Sequence, residues 1–252
     1  MKIKRSLGLL SDSNKDARST EGVNIEPVHP IRKAIISGIK EIAIIIVIAV
    51  LLSLIIKTFL FRAFYIPSGS MEETLQVGDR VFVNLLVPEP ISLKRGDVVV
   101  FKDSQGWLGN NVPKPAPVEQ LFINFGLAPD SSSEHLIKRV IGLPGDHIVC
   151  CDSQGKISVN DKSINEPYLA PGSTNDYGPS SSKFDLIVPE GKIWVMGDNR
   201  NNSSDSRFHQ ELNGKGFVPI SDVVGSAFVI AWPISNWGIL GNYPDTFSGI
   251  DH

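Results

Sequence analysis

Cysteine is nearly absent from this 252-residue chain: there are two, Cys150 and Cys151, and they are adjacent. Neighbouring thiols lack the spacing of a zinc knuckle. A bond between them is sterically awkward, because consecutive Cα atoms sit about 3.8 Å apart, closer than the usual disulfide range. They are expected as small buried or half-buried side chains on a strand, with a redox or intermolecular role as the alternative. Also missing is a large basic block in the body of the chain. With a net charge of −3, this argues against nucleic acid as a partner. No internal repeat is found, which sets solenoids aside. No cofactor and no metal are expected.

What the chain does have is one long apolar run. Ile42 to Ile56 carries no charge over 15 residues, and counted through Phe61 the stretch reaches 20, the length needed to cross a bilayer. Lys57 lies near its end, where a long side chain can reach the interface. A buried core helix, a cleavable signal peptide and a permanent anchor all fit such a run. A core helix this uniformly apolar needs protein on every side. A signal peptide is disfavoured by the late start and by FRAFYIP, which offers no small-x-small cleavage site. The permanent anchor is therefore the expectation. Eight Lys and Arg precede the run in residues 1–40, whereas Lys57 and Arg62 are the close ones after it. The positive-inside rule then places the N-terminus in the cytoplasm and residues 62–252 outside, on the plasma membrane.

Residues 1–33 read as a disordered cytoplasmic tail, 34–61 as the transmembrane anchor and 62–252 as one extracytoplasmic, β-rich domain. Within that domain RVFVNLLV (80–87), DVVVFK (97–102), HLIKRVIGL (135–143), HIVCC (147–151), KISVND (156–161), FDLIVP (184–189), KIWVMGD (192–198) and VVGSAFVIAW (223–232) are short and rich in Val, Ile and Phe. Gly, Pro, Asp and Asn punctuate them, as strands require. Asp152-Ser153-Gln154-Gly155 has the composition of a hairpin turn. The fold class is mainly β, a sheet or barrel-like domain behind a single transmembrane helix. An inserted stretch, 103–134, is proline-rich and contains a short helix-like segment, 118–127. Residues 168–183 read as loop. Trp232, Trp237 and Phe122 are candidates for the membrane interface, with ordinary core or scattered surface as the plainer reading.

The chemistry centres on Phe64-Tyr65-Ile66-Pro67-Ser68-Gly69-Ser70-Met71. Pro67 fixes φ and Gly69 permits a sharp turn, so Ser70 can be presented at the end of a strand. A plain Ser-Gly-Ser turn fits the same residues. A serine hydroxyl needs a base. His135, His147 and His209 carry no triad signature, although order alone does not exclude one. A lysine serves instead when burial keeps it neutral. In HLIKRVIGL, alternation sets Leu136, Lys138 and Val140 on one strand face, so Lys138 is a candidate; a solvated lysine fits the same pattern.

Five segments in order then resemble the boxes of bacterial type I signal peptidases. They are IPSGSMEETLQVGDRVFVNLL (66–86), RGDVVVFK (95–102), KRVIGLPGD (138–146), MGDNRNNSSDSR (196–207) and GFVPISDVVGSAFVIAWP (216–233), all behind the anchor. The resemblance spans roughly residues 40–235. It implies a serine endopeptidase with a Ser-Lys dyad that removes signal peptides from exported preproteins after small-x-small motifs. Ser70 is then the nucleophile and Lys138 the general base. Ser68 contributes its hydroxyl to the oxyanion hole, and Ser203 hydrogen-bonds and orients the lysine. Asp198, Arg200, Asp205 and Arg207 brace the site. Phe64, Ile66, Pro67, Met71 and Ile137 line the substrate groove. The implied partners are preprotein signal peptides, the lipid bilayer and the export translocon. Ser70 follows Phe61 by nine residues, a reach of about 30 Å at roughly 3.3 Å each, so the nucleophile is expected near the membrane surface. Two other readings remain open from the residues: a non-catalytic tethered β domain that binds a peptide, and a self-cleaving Ser-Lys protein of the SOS-repressor kind.

Overall fold

The computed structural model describes residues 29–109, 116, 135–171 and 183–250. The tail 1–28, the helix expected over 118–127, Phe122 and most of the 168–183 loop lie outside these residues. Residues up to Ile48 and residues from Ala49 onward form separate compact units. The sheets and the site belong to the second.

Helix α1 (His29–Phe59) opens the described chain. Its stretch Ala34–Ile56, 23 residues, is long and apolar enough to cross a membrane. At 1.5 Å per residue that is about 34 Å, against a hydrocarbon core of roughly 30 Å. Ile42, Ile45, Leu51 and Ile55 are each more than half exposed, which does not suit a buried core helix. The apolar run was expected to continue as anchor through Phe61. Instead the helix stops at Phe59, and Phe61 opens a strand whose register pairs it with Asn84.

The strands are β1 (Phe61–Tyr65), β2 (Arg80–Asn84), β3 (Val98–Lys102), β4 (His135–Gly142), β5 (His147–Cys150), β6 (Ile157–Val159), β7 (Lys162–Ser163), β8 (Phe184–Ile187), β9 (Lys192–Met196), β10 (Val218–Pro219), β11 (Val223–Trp232) and β12 (Gly238–Ile239). They build two antiparallel sheets. The larger runs β1-β2-β11-β3-β4-β9-β10, with β12 also on β11, and the smaller runs β7-β6-β5-β8. All eight strands expected from the sequence form. The two-residue strands β7, β10 and β12 are too short to carry a period and were not foreseen.

The predicted hairpin turn joins β5 to β6. Gly155 donates to the Asp152 carbonyl at 3.0 Å with φ +77, while Asp152 Oδ1 accepts from the N–H groups of Gln154 and Lys156 at 2.8 Å. Just before it, the structure joins Cys150 to Cys151 in a disulfide across a cis peptide, with Cα atoms 3.0 Å apart. Cys150 is buried and Cys151 half-buried, as expected, whereas the expectation that the two are unbonded is not met.

Two features of the large sheet place the site. First, β4 is interior and buried along nearly its whole length. It pairs with β3 from His135 to Arg139 but with β9 only from Arg139 onward. Second, the chain leaving β1 is pinned on both sides of Ser70. Ile66, Met71 and Leu75 are fully buried, each stabilising the fold by roughly 1.5–3 kcal/mol. The Ile66 N–H donates to the Asp79 carbonyl and the Gly78 N–H to the Ile66 carbonyl, both at 2.9 Å.

Candidate active site

Ser70 sits in a one-turn 3-10 segment, Gly69–Met71, entered through an extended Ser68 (φ −132, ψ 154). The extended residue followed by a tight turn lifts the serine out of the strand line. Lys138 extends from β4 and donates from Nζ to Ser70 Oγ at 2.7 Å, and to the carbonyl of Ile137 at 3.0 Å. Ser70 is 6 % exposed and Lys138 3 %. Ser68 is exposed, and its Oγ lies 3.4 Å from Ser70 Oγ.

Among the described residues no carboxylate bonds the Lys138 ammonium, so the cost of burying the charge is not met. Burial lowers its pKa to about 8, with Arg207 pushing the same way and Asp205 and Asp198 pulling partly back. A lysine titrating there holds a large neutral fraction at mildly alkaline pH and can take a proton from a hydroxyl 2.7 Å away.

Around this pair lie three buried ion pairs. Asp198 receives Arg139 Nε at 2.8 Å and Nη2 at 2.7 Å, with both side chains at 0 % exposure. Arg139 also donates to the carbonyls of Gly96 (2.6 Å) and Gly241 (3.2 Å), and its guanidinium lies 4.2 Å from the Tyr168 ring centre. Arg200 holds Glu166 through two donors and reaches the Gly197 carbonyl at 3.0 Å. Asp205 accepts Arg207 Nε and Nη2, both at 2.8 Å, and the Gly197 N–H at 3.0 Å. Burial alone would raise the Asp205 carboxyl; Arg207, the Gly197 N–H and the nearby Ser203 hydroxyl outweigh it and hold the pKa below its ordinary value.

The structure brings Ser70, Lys138, Ser68, Asp198, Arg200, Asp205 and Arg207 into one cluster of contacts. Ser203 differs from its expectation. It is buried, but its Oγ makes no hydrogen bond of good geometry, and Lys138 spends its donors on Ser70 and its own strand instead. Ser203 is packed instead against Gly197, where a Cβ would lie 2.2 Å from Ser203 Oγ and 2.4 Å from the Ser70 carbonyl oxygen. Of the residues expected to line the groove, Phe64, Ile66, Met71 and Ile137 share one apolar cluster and are 3, 1, 0 and 8 % exposed, while Pro67 is exposed. Of the three candidate histidines, His135 packs on the Phe64 ring, His147 meets Asp185, and His209 stacks on Trp107 and bonds the Asp205 carbonyl at 2.8 Å, while Lys138 is the group that bonds Ser70 Oγ. Among the described residues no group of His, Cys, Asp or Glu comes together that could hold a metal.

Sequence reasoning missed Arg139, Thr74, Asn199 and Glu166. Thr74 donates to Asp198. Asn199 donates from its N–H to the Ser70 carbonyl and from Nδ2 to the Gly69 carbonyl, both at 3.1 Å. The first three lie inside segments already singled out, so proximity was the available signal. Glu166 lies in none of them.

A buried serine bonded by a buried lysine with a lowered pKa is the arrangement of a Ser-Lys hydrolase, a variant of the histidine-based triad. The sequence model of the family described as "Signal peptidase, peptidase S26" matches residues 39–232, and the chain belongs to that family of serine endopeptidases. "Probable signal peptidase I" of Mycobacterium leprae is 38 % identical over 236 residues, covering 82 % of this chain and 80 % of that protein. "Signal peptidase I" of Mycobacterium tuberculosis is 35 % identical over 250 residues, covering 91 % and 83 %. A crystal structure of a signal peptidase I from Enterococcus faecalis is 26 % identical and covers 53 % of this chain and 95 % of that one, at a TM-score of 0.36.

Proposed function

We propose that this chain removes signal peptides from exported preproteins, with Ser70 as nucleophile and Lys138 as general base. The observation that carries the reading is the 2.7 Å contact between two buried groups, Lys138 Nζ and Ser70 Oγ. Neutral Lys138 takes the hydroxyl proton as Oγ attacks the scissile carbonyl carbon. The oxyanion is met by the Ser68 hydroxyl and the Ser70 N–H. The lysine ammonium gives its proton to the leaving amine, and the C–N bond breaks to leave an acyl-serine. Water then attacks that ester, Lys138 taking its proton and passing it to Ser70 Oγ as the ester bond breaks, and the signal peptide leaves with a new carboxylate. Ser203 is in this reading the hydroxyl that receives the ammonium while Ser70 is acylated.

Substrate lies extended. The β9 side of β4 carries no β9 pairing before Arg139, and β1 ends the sheet order; both are edges to which a peptide can add. A floor of Phe64, Ile66, Met71 and Ile137 with almost no open surface accommodates small side chains and excludes large ones. The bilayer is the second partner. The α1 segment fits a span, and Phe82, Phe228, Trp232, Ile234, Trp237 and Ile239 expose apolar surface on or beside β2, β11 and β12. Aromatic residues of this kind favour the headgroup region. In this reading the β domain faces out of the cytoplasm at the plasma membrane, where preproteins leave the translocon.

The test is the full chain in liposomes with a preprotein carrying Ala-x-Ala, followed by sequencing of the new N-terminus. The wild type is expected to cut after the second Ala, and folded Ser70→Ala and Lys138→Met to leave the preprotein intact. Wild-type rates in both variants would remove the dyad from consideration. For orientation, a tag ahead of residue 34 should resist protease added outside intact cells, and its digestion there would overturn the topology.

A further inference from the structure

Resting on the Ser-Lys reading, we infer that Thr74 is a positioning residue that sets the distance between nucleophile and base. The connections form a closed loop. From Ser70 the chain turns tightly, the Leu75 N–H donating to the Met71 carbonyl at 2.7 Å, which presents Thr74 next to the loop after β9. The Thr74 hydroxyl donates to Asp198 Oδ2; a carboxylate only accepts, so the proton is the threonine's. Asp198 is held through both oxygens by Arg139, bonds of 2.8 and 2.7 Å between fully buried groups. Arg139 is peptide-bonded to Lys138, whose Nζ returns to Ser70 Oγ at 2.7 Å.

Each link is stiff for its own reason. The Arg139 fork matches the carboxylate in two parallel bonds, which fix orientation as well as distance. The Arg139 guanidinium is itself fixed by the Gly96 carbonyl at 2.6 Å, the Gly241 carbonyl at 3.2 Å and the Tyr168 ring. Asp198 is thus fixed from the β4 side whether or not Thr74 is present. Thr74 reaches this node from the nucleophile's turn through its side chain. Asn199 supplies a second tie through the backbone of Gly69 and Ser70. That tie holds the main chain, whereas the Thr74 bond sets the rotation of the turn that carries Ser70 Oγ. A near-attack geometry off by about 1 Å costs on the order of a hundredfold in rate, so a bond that sets this rotation has a kinetic signature distinct from stability.

The experiment measures preprotein cleavage by the full chain in liposomes for wild type, Thr74→Val, Thr74→Ala, Thr74→Ser and Ser70→Ala. Valine keeps the shape and removes the donor. The expected result for Thr74→Val is a kcat lowered by about tenfold or more, with KM within about twofold and a melting temperature close to wild type. Thr74→Ala should lose kcat in the same way, which keeps the test informative if valine disturbs folding. Thr74→Ser, which restores the hydroxyl, should recover most of the rate. The inference is overturned by wild-type kcat in Thr74→Val with Ser70→Ala inert, by a loss confined to KM, or by Thr74→Ser as slow as Thr74→Val. Cleavage by Ser70→Ala at the normal rate overturns the underlying dyad instead, and the inference with it.

Discussion

The two faces of β4 treat neighbouring cations in opposite ways. Lys138 and Arg139 are consecutive, lie 3 % and 0 % exposed, and point to opposite sides of the strand as the pleat requires. On the Arg139 face a carboxylate receives two bonds, and although burial alone would lower its pKa, Asp198 raises it, so the group stays charged. On the Lys138 face the acceptors are a hydroxyl and a peptide carbonyl, and burial brings the pKa down to about 8. Burial is nearly equal in the two, so the partner decides the charge. A contacting acid keeps Arg139 charged; without one, Lys138 is left with the lowered pKa that the proposed base needs.

The largest way to break this contrast is Arg139→Met. It removes both guanidinium bonds from the buried Asp198 carboxylate, and should cost about 3–5 kcal/mol of stability at neutral pH. Urea unfolding checks it, and a change below about 1 kcal/mol would contradict the assignment of the pair as the structural one. Lys138→Met should go the other way. Because the folded lysine titrates at about 8 and the unfolded one near 10.5, the unfolded state binds more protons between those values. The destabilisation by Lys138 is therefore full below about pH 8 and fades as the pH rises toward 10.5. The methionine variant should be more stable than wild type by about 1–3 kcal/mol at neutral pH, with the gain shrinking in alkali. A constant difference across that window would count against a depressed lysine. The smallest effect is kinetic: kcat/KM should fall about tenfold per pH unit below about 8 and level off above it, the limb of a base that works when neutral. Cleavage rates over that range decide it, and a flat profile removes the titrating base.

Much of this was legible before the fold was seen, because it is local. Val-rich runs between turn residues marked eight of the nine longer strands, all but β1, and the ordered boxes singled out Ser70 and Lys138 together. The failures are failures of pairing. The Lys138-Arg139 dipeptide reads as two equivalent charges until topology assigns one a carboxylate 59 residues away. Thr74 is an ordinary polar residue of a turn until Asp198 lies beside it. Glu166 falls outside every recognisable segment, yet it closes the Arg200 pair. Phe61 belongs to the apolar run by composition and to β1 by its partner Asn84, and the partner prevailed. Met71 and Ile66 were placed in the groove lining by resemblance to the family. The same alternation turns them inward, leaving them 0 and 1 % exposed.

The long closures of the positioning loop bear on how the chain is made. Its bonds join residues 68, 124 and 59 apart in sequence, and contacts of such separation form late because the intervening chain must be ordered first. No fragment ending before Asp198 holds the whole arrangement, and none ending before Lys138 holds the base at all. On the proposed Ser70–Lys138 reading, a nascent or half-folded chain has its nucleophile and its base apart, and the two meet only once β4 has joined the large sheet.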